Sequence, residues 1–286
     1  MKIVVGENSG FCAGVNHTVR KALELVKSHN GIYCLGEIVH NENVIRNLED
    51  SGMITVADLI DVPDYSSVIF RAHGETKDIY ELASSKHLKV YDLVCGKVQS
   101  IRRRIQEHVG KDFIIILGKK NHPETGSHFS YAGHDAFIIE SLEDIPLAIS
   151  KVNESSFHSI YVVAQTTFST SLFQDILHHL KSSYVGEIIC DNTICNATEM
   201  RQREVFKLAS QVDKMIIIGG KNSSNTKELY NIAKSELDDV YLIQSADSLL
   251  IDDFSSSDTI GIMGGASTPD FIIDEVIDKL NSYFRV

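Results

Sequence analysis

The chain has 286 residues, 43% of them hydrophobic and 23% charged, with a formal net charge of −12. That length suits two or three small domains whose cores need no disulfide staples. The acidic balance argues against nucleic acid and anionic membrane surfaces as partners, because both reward clustered Lys and Arg.

The opening segment, MKIVVGENSGFC, has one Lys before a short apolar run, then Glu7 and no small-residue cleavage site, so it reads as a first β-strand rather than a signal peptide. Behind Cys12, the residues Val15, Val19, Ala22, Leu23 and Val26 recur at the helical period and predict a helix with one apolar stripe. Runs rich in β-branched residues predict strands at 3–5, 32–35, 67–71, 89–94, 112–117, 136–140, 159–164, 187–190, 214–218, 240–243 and 259–263. Amphipathic stretches lie between them. Strands that are apolar throughout and separated by helices imply parallel sheets covered on both faces, hence an α/β fold. No apolar stretch reaches the ~18–20 residues that span a bilayer, so a cytoplasmic chain with no membrane or nucleic-acid partner is expected. The one basic run, Arg102–Arg104, reads as a solvated helix face.

Five cysteines, an odd number, do not form a secreted disulfide framework. Three share a local setting: Cys12, Cys95 and Cys195 each follow a predicted strand and open a predicted helix. They are spaced at roughly a third of the chain, which points to three α/β units of similar size. A thiol at a helix N-terminus has its thiolate favoured by the helix dipole. Without a CxxC pair, the three read either as a shared metal centre or as buried small hydrophobes. Cys34 and Cys190 read as core filling.

Other strand ends are unusually polar, and in parallel α/β sheets ligands bind at the carboxyl ends of strands. His40, His73 and His122 fall there, while His17 and His128 lie close to the motifs without an assignment. GGKNSSN (219–225) and GGASTPD (264–270) suit an anion: the glycines admit close backbone approach, Ser223, Ser224, Asn225 and Ser267 offer donors, and both loops enter helices. GGKNSS is not a phosphate-binding Walker loop, and no GxGxxG follows a strand, so electrons would come from another protein. Glu124, in HPE, reads either as a general acid whose pKa is raised by a desolvated pocket or as a solvated turn residue. Thr166, in QTT, either orients that acid or caps the helix near Ser169.

Taken together, these residues resemble the 4-hydroxy-3-methylbut-2-enyl diphosphate reductase family, also called IspH or LytB. The resemblance runs nearly end to end through GFCAGV (10–15), GEIVHN (36–41), RAHG (71–74), DLVC (92–95), HPE (122–124), QTT (165–167), DNTICNAT (191–198), KNSSN (221–225) and GASTPD (265–270). It implies one 4Fe-4S cluster with Cys12, Cys95 and Cys195 as its three ligands and an open fourth iron. It also implies three α/β lobes in a pseudo-threefold arrangement around that cluster, at about 1–95, 96–194 and 195–286, with the first strand packing against the third. His40, His73, His122, Ser223, Ser224, Asn225 and Ser267 match the family's diphosphate-binding positions. Glu124 matches its proton donor, Thr166 the residue that positions the substrate alcohol, and His122 also lies on the proton path. The implied activity is reductive loss of the allylic hydroxyl to give isopentenyl and dimethylallyl diphosphate, with a ferredoxin or flavodoxin type of protein as donor. For such a donor Arg102–Arg104 is the expected docking patch. Gly96, Asn121 and the stretch TGSHFSYAG (125–133) depart from the family pattern and leave the chain path beside Glu124 open. Two other readings compete: a zinc-dependent hydrolase of a phosphorylated metabolite, and an iron-sulfur sensor without turnover.

Overall fold

A computed structural model describes residues 1–29 and 31–284. In chain order its elements begin with β1 (Lys2–Val5), α1 (Ala13–Ser28), β2 (Ile32–Leu35), α2 (Glu42–Asp50), β3 (Met53–Val56), β4 (Ser67–Phe70), α3 (Lys77–Ser85), β5 (Lys89–Asp92) and α4 (Gly96–His108). There follow β6 (Phe113–Leu117), α5 (Pro123–Ala132), β7 (Ala136–Ile139), α6 (Ile145–Glu154), β8 (Ser159–Ala164), α7 (Thr170–Ser183) and β9 (Glu187–Cys190). The last are α8 (Asn196–Ala209), β10 (Lys214–Ile218), α9 (Ser224–Glu236), β11 (Val240–Ile243), β12 (Thr259–Gly264) and α10 (Asp270–Phe284). Short 3-10 turns connect some of these elements.

The chain divides into two compact units. The first comprises Met1–Arg20, Val39–Asp50 and the chain from Asn196 onward; the second comprises Lys21–Ile38 and Ser51–Cys195. In the first unit one parallel sheet runs β1-β12-β10-β11. Its central strands alternate their side chains between two faces, as strand geometry requires. Ile216, Ile218, Ile260 and Ile262 pack on α10 residues, while Met215, Ile217 and Met263 pack on α8 and α9 residues.

The second unit holds two parallel sheets, β3-β2-β4-β5 and β7-β6-β8-β9. Phe113, Ile115, Leu117, Ile160 and Val162 face one apolar cluster, and Ile114, Ile116, Tyr161 and Val163 face the opposite one. Full burial of each such side chain contributes ~1.5–3 kcal/mol. Helices on both faces are therefore what this α/β pattern demands.

All three sheets repeat one topology. In each, a half-exposed edge strand (β1, β5 or β9) pairs with a central strand (β12, β4 or β8), and that strand pairs with a second central one (β10, β2 or β6). Two local expectations needed adjustment. The strand β3 was not predicted, and residues 125–132, which the sequence left as an open path, form the body of α5.

Candidate active site

The repeated topology sorts the polar loops. Cys12, Cys95 and Cys195 each follow an edge strand, whereas the remaining candidates follow central strands: His40 after β2, His73 after β4, His122 and Glu124 after β6, Thr166 after β8, Ser223–Asn225 after β10 and Ser267 after β12. Every one of these loops leaves the carboxyl end of a parallel strand, where ligand sites form in such sheets.

In the first unit, the loops after β10 and β12 meet at the backbone of His40. A Cβ on Gly220 would lie 2.0 Å from the His40 carbonyl oxygen, so only glycine admits this approach. Ser267 Oγ donates to the same carbonyl at 3.4 Å. Ser223 caps α9, its Oγ accepting the Thr226 N–H at 3.3 Å. Ser224, Asn225 and Thr226 then form a buried first turn whose amide dipoles favour an anion. Both side-chain polar atoms of Asn225 and the hydroxyl of Thr226 are buried with no hydrogen-bond partner among the described residues. Each such group costs ~1–3 kcal/mol when left unsatisfied, so this turn fits a polyanionic ligand that would accept from Asn225 Nδ2 and the Thr226 hydroxyl. Thr268 donates its hydroxyl to the Ile218 carbonyl at 2.7 Å and ties β10 to the next loop.

The same unit places Cys12. Its N–H donates to the Ala266 carbonyl at 3.2 Å, and its Sγ lies 3.4 Å from the Val15 N–H, at the start of α1. From α8, Arg201 Nη2 donates to the Gly10 carbonyl at 2.7 Å, and the Glu204 carboxylate accepts the Asn8 N–H at 2.9 Å and the Asn8 side-chain amide at 2.8 Å. Arg201 and Glu204 thus fix the cysteine loop. Neither carries a local motif.

In the second unit, His122 caps α5, its Nδ1 accepting the Glu124 N–H at 3.1 Å, and Pro123 occupies the first helical turn. That start places the Glu124 carboxylate, 1% exposed, against the β8–α7 turn. Thr166 donates its N–H to Oε1 at 2.7 Å and its hydroxyl to Oε2 at 2.8 Å. The His128 ring, fully buried one helical turn further along, brings Nε2 to 3.5 Å from Oε1. His122 packs edge-to-face on His73, with ring centroids 5.2 Å apart. Both flanks reach cysteines through the backbone: the Cys195 N–H donates to the Thr166 carbonyl at 2.9 Å, and the Cys95 N–H to the Ala72 carbonyl at 3.0 Å.

Glu124 overturns one expectation. Burial, the largest single influence, pushes its pKa up, but the close approach and charge of His128, the charge of His122 and the Thr166 N–H together hold it below the usual carboxylate range. The carboxyl therefore rests ionised near neutral pH, and serves as an acid only after receiving a proton.

Arg102 corrects a second. It is 6% exposed rather than solvated: Nε donates to Ser127 Oγ at 2.8 Å and Nη2 to the Glu75 carbonyl at 3.0 Å, and the guanidinium lies 4.9 Å from the Tyr131 ring centroid. It braces α5 against the loop that carries His73. Arg103 and Arg104 are both exposed, and Arg104 pairs with Asp191. Gln165 is a further residue the sequence did not single out: Oε1 accepts the Lys119 N–H at 3.1 Å, and Nε2 donates to Thr167 Oγ1 at 2.9 Å. Its position at the head of QTT was the available signal.

The donor set suits a soft metal centre. No disulfide joins the cysteines among the described residues, and Cys12, Cys95 and Cys195 are half-buried at helix starts, in the partly exposed setting of reactive thiols. Cys34 is buried inside β2, as expected of core filling. Cys190 is not core: it lies exposed at the end of the edge strand β9.

The family model described as LytB protein matches residues 3–281. The chain is 36% identical to the 4-hydroxy-3-methylbut-2-enyl diphosphate reductase of Caldanaerobacter subterraneus subsp. tengcongensis, over 99% of this chain and 97% of that protein. It is 37% identical to the protein of the same name from Alkaliphilus oremlandii, over 99% of this chain and 100% of that one. Among solved structures, the E-1-hydroxy-2-methyl-but-2-enyl-4-diphosphate reductase of Plasmodium falciparum aligns with a TM-score of 0.89 at 29% identity, over 98% of this chain and 88% of that one. A second, described as (E)-4-hydroxy-3-methyl-but-2-enyl diphosphate reductase, the terminal enzyme of the non-mevalonate pathway, aligns with a TM-score of 0.70 at 35% identity, over 98% of this chain and 99% of that one.

Proposed function

The chain belongs to the LytB family, and we propose that it reduces (E)-4-hydroxy-3-methylbut-2-enyl diphosphate to isopentenyl and dimethylallyl diphosphate, the last step of the non-mevalonate isoprenoid pathway. The observation that carries this reading is the Glu124 carboxylate, buried and held at both oxygens by Thr166. A carboxyl so fixed beside a hydroxyl suits delivery of one proton to a leaving alcohol.

The family implies an iron-sulfur cluster; we assign it as a 4Fe-4S cluster with Cys12, Cys95 and Cys195 as ligands and a fourth iron left for substrate. When bound, the cluster supplies the two electrons and a Lewis acid for the alcohol oxygen. The chain does the rest. Ser223, Ser224, Asn225 and Ser267, with His40, His73 and His122, hold the diphosphate, and the α9 dipole favours its charge. Thr166 Oγ1 orients the alcohol while Glu124 Oε2 passes a proton to the departing oxygen, so that water leaves instead of hydroxide. The buried site excludes bulk water from that exchange.

Electrons come from a small ferredoxin or flavodoxin type of protein. No helix among the described residues is long and apolar enough to cross a membrane, and we assign the protein to the cytoplasm. Anaerobic incubation of the purified protein with the allylic diphosphate and an artificial one-electron donor tests the assignment. Both five-carbon diphosphates are expected as products, with iron and sulfide in the protein. A colourless preparation with stoichiometric zinc and no reduction would overturn it.

A further inference from the structure

His128 is the buried titratable group that this mechanism leaves unused. Glu124 and His128 stand four residues apart on α5, so they share one helical face, and the ring is completely buried with Nε2 3.5 Å from Glu124 Oε1. Neither ring nitrogen has a hydrogen-bond partner among the described residues. A structural histidine in a core is normally satisfied, whereas this ring only approaches the Glu124 carboxylate, at 3.5 Å. The opposite oxygen of that carboxylate, Oε2, takes the Thr166 hydroxyl. Imidazole, carboxylate and hydroxyl therefore stand in line.

Among the described residues, the charged and titratable groups named below on the elements packed against α5 have partners of their own. The strands β6 and β7 present apolar side chains. From α4, Arg102 is committed to Ser127 and the Glu75 carbonyl. From α3, Tyr80 donates to Asp92, and Lys77 lies over the Tyr131 ring. Glu75 pairs with Arg71, and His122 accepts the Glu124 N–H through Nδ1.

We propose that His128 is a positioning residue that recharges Glu124: its Nε2 hands a proton to the resting carboxylate at Oε1, and the neutral carboxyl so formed turns about its terminal bond to deliver that proton, beside Thr166 Oγ1, to the departing oxygen of the substrate. The carboxylate gains one proton and loses one, His128 passes from imidazolium to imidazole, and water restores its proton between turnovers. Neither residue changes oxidation state. The gap of 3.5 Å exceeds the ~2.7–3.2 Å of a formed hydrogen bond, so transfer needs only a small approach of two side chains on one helix. Consistent with this, His128 is the main influence that holds Glu124 ionised against its burial.

This proposal rests on the reductase reading, and its test separates the two. In the cluster-loaded enzyme supplied with an artificial donor, His128→Asn and His128→Gln are expected to lower kcat ~10–100-fold, with KM changed less than twofold. Added imidazole should partly restore His128→Ala. In parallel, isotope-edited infrared titration of Glu124 in substrate-free protein should show its midpoint moving to higher pH in each variant. A kcat profile and a Glu124 midpoint that both match the wild type would overturn the relay. If the wild type fails to reduce the diphosphate, the reductase reading falls, while the infrared titration still decides whether the two residues share a proton. Should the variants not fold, wild-type infrared bands of Glu124 and His128 titrating in one coupled step would support the pair, and independent titration would overturn it.

Discussion

The loops after β10 and β12 and those after β6 and β8 leave equivalent strands of equivalent sheets, yet their side chains suit opposite chemistry. The first pair is built from glycines, serines, asparagines, a lysine and helix amides, none of which titrates near neutral pH. The second pair concentrates a buried Glu and two histidines around one threonine. One fold position serves for holding charge when its side chains are neutral donors, and for moving protons when they are acids and bases. The division lies in side-chain chemistry, not in architecture.

That division can be broken by mutation, and the largest effect is expected outside both pairs. Cys12→Ser, Cys95→Ser and Cys195→Ser should each lose stable cluster occupancy, measured as iron and sulfide per chain, whereas Cys34→Ala and Cys190→Ala should retain it. Full iron content in all three serine variants would refute the ligand assignment.

Next in size, Glu124→Gln should lower kcat by ~10²–10⁴ while KM and iron content stay near wild type. Asn225→Ala should do the reverse, raising KM about tenfold, the equivalent of ~1.4 kcal/mol, with kcat little changed. If Asn225→Ala lowered kcat alone, the separation of holding from proton transfer would be wrong. Arg102→Met, judged by thermal or denaturant unfolding, should cost about 1.5–3 kcal/mol of stability, through lost bonds to Ser127 and the Glu75 carbonyl.

The smallest effect concerns acid stability. Because the folded pKa of Glu124 lies below its ordinary value, the stabilisation it brings is complete above ~4.3. It is lost as pH falls through the folded value. Glu124→Gln should therefore show a shallower loss of stability on that acid limb, read by unfolding at stepped pH.

Much of the fold was legible because each central strand is an unbroken apolar run between helical patterns; β2, β8, β9, β10 and β11 fall at their expected residues. The strand β3 was missed because MITV is short and only Met53 of it is buried. Its pairing with β2 is tertiary information that local periodicity does not contain. In the candidate site, residue types and strand-end positions could be read, but which groups meet could not. Gly126 and Gly133 disguised a helix, so the four-residue spacing of Glu124 and His128 carried no meaning until α5 was placed. Arg102 was decipherable in principle: Val98, Ile101 and Ile105 are buried on the same helical face, and a residue between them shares their surroundings whatever its charge.

Thr166 binds Glu124 through its N–H and Oγ1 and receives Cys195 through its carbonyl. These contacts use the two peptide planes on either side of one Cα, and each plane is stiff. The residue behaves as a hinge between two plates, so a shift of the Cys195 backbone tilts the carboxylate. For Cys195 as the proposed ligand, damage at that thiol would be felt twice, as a lost ligand and as a misaimed acid, and oxidative inactivation would not be reversed by restoring iron alone.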